Sequence, residues 1–433
     1  MRKRQSMGWV FGFVSLLFIL GSPSIVGAES ESILSKIHPY ITVQEEYNDN
    51  ILLSNRNKID DFITTVSVGL KVSALSEKNY GIDLDMAAGF VYYAKRHFLD
   101  YYYYFSPLGR VNAWYAVTPT LTFRVSDYLT QSYTAREQLY TANAPPNQFL
   151  LSTQRGDQGI YIRNVFEPSV DYQFAKDGTI SVLYRNNIYG NLKHLFEDSM
   201  ENTINPKLTY WFDIRNGIAL EYILTSGQFE RSPDLVSNGA RARYTYRFNP
   251  MTSIFGEYFY QKDDFESPGI DYNVHNPSLG IEYKFSPTLT GTAQGGYFWQ
   301  IPDQGSGTRG LSYNLSLIKS AKRTTYTLSF QGGYTEEYFT AENRGFAKYY
   351  RTYGTISHRL TEKLSVGLTG SLERPTYING EKDWIWGIWG NASYQLLRWL
   401  SLSLQVAHIE DHSNIGDLNY SQYRAIFSAT AAF

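Results

Sequence analysis

Arg241, Arg243 and Arg247 stand at positions i, i+2 and i+6 of one extended stretch, so a β-strand would project all three from the same face. Guanidinium groups in a row offer bidentate donors to carboxylates and phosphates, and rings of such groups bias a pore toward anions. The same parity puts Arg110, Arg124, Arg163, Arg185 and Arg351 on the polar face of their strands, together with Lys71, Lys207, Lys284, Arg359 and Arg424. Asp83, Asp85, Glu167, Asp171, Glu221, Glu257, Glu282 and Glu373 share that face. Two arrangements are open: pairing across neighbouring strands that only keeps a wide lumen hydrated, or a basic excess that acts on solutes. Trp114, Tyr161, Trp211 and Trp389, with Phe255, Phe259 and Phe298, point the same way. Their flat faces could stack on sugar rings or simply pack within a lumen.

Catalytic chemistry is not nominated. There is no Gly-x-Ser-x-Gly elbow, no His-Glu-x-x-His and no phosphate-binding glycine loop, and no nucleophile stands with its base. His408-Ile409-Glu410-Asp411-His412 has metal-friendly residue types at a strand end that runs into a polar loop, where a solvated rim is expected. Asn48-Asp49-Asn50 reads as the rim of the first strand, with a calcium site as the alternative. The expectation is a protein that is not an enzyme and carries no metal and no cofactor.

The elements that must position these residues are strands. Tyr423, Ala425, Phe427, Ala429, Ala431 and Phe433 are apolar at every second position, and the sequence ends on that phenylalanine. Phe62 to Ala74 and Ile82 to Tyr92 alternate in the same way, as do the stretches around Leu121, Tyr326, Leu364, Trp384 and Leu400. Tight turns are expected at 76–79, 118–119, 175–178, 215–217, 249–250, 286–287, 320–322, 361–363 and 397–398, with longer polar joins between them such as 135–158, 191–200 and 341–346. This pattern predicts an all-β, transmembrane, antiparallel up-and-down barrel of about 20 strands (18–22), with short periplasmic turns and longer external loops. The join 135–158 carries Phe149, Leu150 and Leu151, an apolar triplet that could fold onto the wall as a constriction loop. Phe433 is the expected assembly signal.

Composition agrees with this class. The 37 tyrosines, 25 phenylalanines and 8 tryptophans exceed what a soluble core needs and suit aromatic girdles at two lipid interfaces. Mean hydropathy is −0.34, as expected where half of every strand faces water. Arg2 to Arg4, the apolar run Trp9 to Leu20 and Val26-Gly27-Ala28 predict a signal peptide over 1–28, leaving 29–433 as the barrel domain. Cysteine is absent and the net charge is −2, so neither disulfides nor a nucleic-acid partner is expected. The expected address is the outer membrane of a Gram-negative cell, with lipid and the barrel-assembly machinery as expected partners.

The stretch Pro39-Tyr40-Ile41-Thr42-Val43-Gln44-Glu45-Glu46-Tyr47-Asn48-Asp49-Asn50-Ile51, followed by Asp60-Asp61-Phe62-Ile63-Thr64, resembles the opening of the putative β-barrel porin 2 family. It is similar, too, to outer-membrane proteins found with exopolysaccharide and exosortase systems. The resemblance implies a barrel of this size with a loosely defined role tied to surface polysaccharide, and it brings no catalytic residues. A porin-like pore or export channel is therefore expected, for anionic solutes or an acidic polysaccharide. A structural partner of a polysaccharide system without open conductance is the alternative, and an outer-membrane hydrolase the remotest reading.

Overall fold

The computed structural model describes residues 36–73, 79–103, 109–132, 136–138, 151–153, 160–191, 197–340 and 343–433. The expected signal peptide, with Phe149 and Leu150, lies outside them. Leu151 opens a three-residue strand, Leu151–Thr153, that pairs with Arg136–Gln138 apart from the main sheet.

Alternating stretches become strands because one face of each can meet an apolar surround while the other stays polar. They are β1 (Ile37–Asn48), β2 (Asp61–Ser73), β3 (Tyr80–Tyr93), β4 (Tyr101–Tyr103 and Gly109–Thr118), β5 (Leu121–Ser132), β6 (Tyr161–Ala175) and β7 (Gly178–Asn191). Then come β8 (Ser199–Trp211), β9 (Asn216–Phe229), β10 (Leu235–Asn249), β11 (Thr252–Phe265), β12 (Tyr272–Ser286) and β13 (Leu289–Pro302). The rest are β14 (Arg309–Ser320), β15 (Thr324–Glu337), β16 (Gly345–Arg359), β17 (Leu364–Tyr377), β18 (Asp383–Leu397), β19 (Leu400–Ser413) and β20 (Tyr420–Ala432). The two pieces of β4 both pair with β3 and count as one strand.

Consecutive strands pair antiparallel, and β1 meets β20 from Tyr40↔Ala432 to Asn48↔Arg424, which closes a 20-stranded barrel without a free edge. One turn differs from the expected position: the β8–β9 connection lies just before Asn216, where Asp213 Oδ1 accepts the backbone N–H groups of Arg215 and Asn216 and so nucleates the reversal earlier.

The outer face is apolar. Val68, Tyr115, Phe212, Leu279 and Leu311 are among its most exposed side chains. Around the short-turn end, aromatic pairs stand edge to face, as in Tyr210–Phe212, Tyr246–Phe248 and Tyr283–Phe285, at 5.2, 4.9 and 4.7 Å between centroids. Phe433 joins this belt, stacked on Trp399 at 6.5 Å while its N–H donates to the Pro39 carbonyl.

The Asn48-Asp49-Asn50 segment seals the seam. Asn50 is fully buried and donates to the carbonyls of Ser54 and Ser421 at 2.9 Å each, and Gln422 donates to the Asn48 Oδ1 and the Asn50 carbonyl. Just beyond, Arg424 grips Glu46 with two bonds of 2.8 and 2.9 Å. Buried polar atoms need such partners, so this motif works as a clasp between the first and last strands.

Candidate functional site: a lumen crossed by one hairpin

Register settles which face each polar residue takes. Glu221↔Arg241↔Phe259 and Arg243↔Glu257↔Ser278 run as rows across β9 to β12, on the face opposite the exposed Leu220, Tyr222, Tyr244, Tyr258 and Leu279. All the described residues expected to line the interior take this inner face.

Most of the inner cations are paired. Arg110 meets Asp83 at 3.0 Å, Arg124 meets Asp171 at 2.8 Å, Arg185 meets Glu167 at 2.6 Å and Arg351 meets Glu373 at 2.5 Å. Arg163 donates to Asn187 at 3.2 Å. Arg241 lies between Glu221 at 3.2 Å and Glu257 at 3.8 Å, and Arg243 holds Glu282 at 2.6 Å. Of the two arrangements open from sequence, neighbour pairing describes most of the wall. The aromatics add a second support: Arg241 sits over Phe259, Arg243 over Phe255 at 3.6 Å, and Arg247 over Trp211 at 3.3 Å. Tyr161 stacks on Tyr189, and Trp389 packs with Ile385, Ile409 and Tyr420. Trp114 covers Gly81, where any Cβ would fall 2.2 Å from the indole nitrogen. These three rings are engaged in wall packing.

The sequence reading missed the element that enters the lumen. β15 pairs with β14 only from Ser320↔Thr325 to Tyr313↔Gly332, whereas its pairing with β16 continues to Glu337↔Gly345. Beyond Gly332-Gly333 the β15–β16 hairpin therefore parts from β14 and bends inward, while β16 stays paired with β17 as far as Ala347↔Tyr377. A Cβ on Gly332 would lie 2.4 Å from the Tyr313 ring, and Gly333 adopts φ +156°, so glycine fits the bend at both positions.

The inward end of the hairpin packs on the inner wall of β9 to β13. Phe346 is fully buried, stacked on Tyr334 at 5.2 Å and edge-on to Tyr272 at 5.7 Å, with Phe298 behind both. Tyr338 meets Phe265 and shares a 2.8 Å hydrogen bond with the Tyr272 hydroxyl, and Phe339 stacks on Phe229 at 5.3 Å. Burial raises the pKa of the Tyr338 hydroxyl, keeping it a neutral donor.

Polar contacts hold the end of the loop that enters β16. Arg344 lies 3.5 Å from Asp383 and 3.8 Å from Glu381 and donates to the Tyr377 hydroxyl at 3.0 Å. Asn343, at φ +42°, donates to Glu197 Oε2 at 2.9 Å, in the connection before β8. Glu197 also accepts from Ser232 Oγ at 2.6 Å and from the N–H of Arg231 at 2.9 Å. Burial would raise the Glu197 pKa, but these donors outweigh it and hold the carboxyl below its ordinary range. Beneath the loop, Gln261 bridges Asp263 and Glu336 with bonds of 2.9 and 2.7 Å, and Tyr272 caps Glu336 at 2.9 Å.

His408, Glu410 and His412 take the outer face instead. Glu410 accepts from the Trp386 indole at 3.1 Å between the two imidazoles, and His408 stacks on Tyr423 at 4.0 Å. Among the described residues no cluster of His, Asp and Glu is arranged to hold a metal ion.

A closed barrel with a polar, charge-paired interior and an inward hairpin is the architecture of a porin-like protein, and it places the chain in the outer membrane. Residues 224–433 match the putative beta-barrel porin 2 family. The family expected from the opening motif is thus borne out by the second half of the chain, β10 to β20 with the end of β9. No curated protein matches.

Among solved structures, the porin-like barrel is similar to the outer membrane protein OpdK of Pseudomonas aeruginosa, with 11% identity, TM-score 0.43, and 93% of this chain and 100% of that chain covered. OccK2 (OpdF) of the same species, in complex with glucuronate, gives 9% identity and TM-score 0.44 over 93% and 100%. A mutant of the ferric enterobactin receptor PfeA from that organism, in complex with enterobactin, gives 9% and 0.50 over 92% and 81%. At such identities the likeness is one of barrel fold.

Proposed function

We propose that this porin-like barrel is a passive pore for small polar solutes, with anionic ones favoured, and that the β15–β16 hairpin sets the width of its mouth. The hairpin carries the reading. A barrel of this strand number is wide unless something narrows it, and Asn343, just before β16, bonds to Glu197 in the connection before β8. A polysaccharide chain would have to thread the same gap, which favours small solutes over a polymer as cargo. The paired inner charges make any selectivity modest, since most of the inner arginines already face a carboxylate. In this reading the longer loops face outward, and Phe433 in the aromatic belt serves assembly.

Purified full-length barrel in planar bilayers should conduct steadily. Replacing Tyr338–Arg344 with a short Gly/Ser turn should raise single-channel conductance roughly twofold or more. If both forms stay silent, the scaffold alternative, a structural partner of a surface-polysaccharide system, becomes the better account.

A further inference from the structure

Near the short-turn end of the lumen, far along the strands from the hairpin, β10 to β13 and the β10–β11 turn with Pro250 and Met251 form a pocket of mixed polar and apolar lining. It is lined by Arg247, Ser253, Glu282, Lys284, Thr290 and Thr292. Register builds it: Arg247↔Ser253, Ser253↔Glu282 and Glu282↔Thr292 form one row across four strands, and Lys284↔Thr290 the next.

Charge distinguishes this pocket from the rest of the wall. Glu282 is already committed to Arg243 at 2.6 Å. Among the described residues, neither Arg247 nor Lys284 has a carboxylate within salt-bridge reach. Two cations therefore face one pocket uncompensated. Arg247 is also held in place, because its guanidinium carbon sits 3.3 Å from the centre of the Trp211 ring. A guanidinium edge matches a carboxylate, a nearby ammonium adds a second positive charge, and the hydroxyls of Ser253, Thr290 and Thr292 can exchange hydrogen bonds with hydroxyl groups.

We propose that this pocket binds the carboxylate of a small hydroxylated solute of the sugar-acid type, with Arg247 and Lys284 as the charge-reading pair and the three hydroxyl side chains orienting the polyol. The solute class rests on the pore reading above, but binding at the short-turn end does not need the mouth to be open. Arg241 and Arg243 stay with their own carboxylates and serve the wall.

Titration calorimetry on the detergent-purified full-length barrel tests the site, with glucuronate as probe and glucose as its uncharged match. Wild type should bind glucuronate and not glucose, and R247Q/K284Q should weaken glucuronate binding roughly tenfold or more. K71Q, which removes an inner-face cation on a different strand, should leave it unchanged. W211L should weaken binding with both charges still present. Wild type that ignores glucuronate, a double variant that binds as well as wild type, or K71Q losing as much would each overturn the site. Liposome swelling with glucose reports the pore separately: swelling without glucuronate binding defeats only the pocket, whereas binding without swelling defeats only the open pore.

Discussion

Asn343 and Glu197 are 146 residues apart in sequence, and a single 2.9 Å hydrogen bond joins them across the barrel interior. The donor belongs to the β15–β16 loop and the acceptor to the connection before β8, so this bond, with the Phe339–Phe229 stack, holds the loop across the mouth. Bonds to a charged acceptor contribute about 1.5–3 kcal/mol. Asn343→Ala should therefore shift the loop toward released states by roughly tenfold or more, seen as new, larger conductance levels in single-channel records. Records identical to wild type would mean that the aromatic contacts alone hold the loop.

The same carboxyl predicts a pH dependence. Burial works against the Glu197 anion, but the donors from Ser232, Asn343 and Arg231 win and depress its pKa. A depressed carboxyl stabilises the latched form fully above the ordinary carboxylate range, and this contribution is lost as pH falls through the folded value. Conductance should be constant from neutral pH down to about pH 5 and become unsteady only below about pH 4. Unsteadiness appearing near neutral pH would assign the switch to another group.

The clasp at the seam yields a stability prediction. Glu46 is buried and its bidentate partner is Arg424. Removing one partner of a buried pair leaves an uncompensated charge and costs about 3–5 kcal/mol. Arg424→Leu should lower the denaturant midpoint and the temperature at which the folded, fast-migrating band is lost on gels, whereas Arg424→Leu with Glu46→Leu should recover much of the loss. Equal damage from both variants would show that the pair itself matters little.

Strand parity was legible because period-2 alternation is a local signal, and it placed Arg110, Arg241, Trp211 and the other described wall residues on the correct face. Pairing between charges was only one of two open arrangements, since Arg241 finds Glu221 and Glu257 through register, which depends on turn positions that sequence fixes only to within a residue or two. The inward hairpin was missed for a related reason. Phe346 read as the end of a polar join and Tyr334 and Glu336 drew no assignment, and only Gly332-Gly333 inside a strand marked a place where the chain could bend away from its neighbour. The apolar triplet Phe149 to Leu151 drew attention as a loop that needs burial, yet among the described residues the apolar loop residues that pack inside are others, such as Ile51, Leu53, Leu99 and Tyr338.

The last prediction concerns assembly and orientation. Phe433 is 67% exposed on the outer face and is fixed by its backbone bond to Pro39 and its stacking on Trp399. Removing it takes one ring from a belt that holds other aromatics, so the folded barrel should lose little stability. A recognition role, by contrast, acts before the barrel closes. Deletion of Phe433 should therefore lower the amount of barrel in outer-membrane fractions several-fold, while barrel refolded in detergent from the deleted chain keeps a near-normal unfolding midpoint. Equal loss in both measurements would make Phe433 a structural residue, and no loss in either would remove it from assembly altogether. Tags on the same cells fix direction: one beside Gly345 should be reachable from outside, and one at Asn249 should not. Labelling only at Asn249 would turn the barrel over, placing the hairpin and its Glu197 latch at the periplasmic mouth and the Arg247 pocket at the external one.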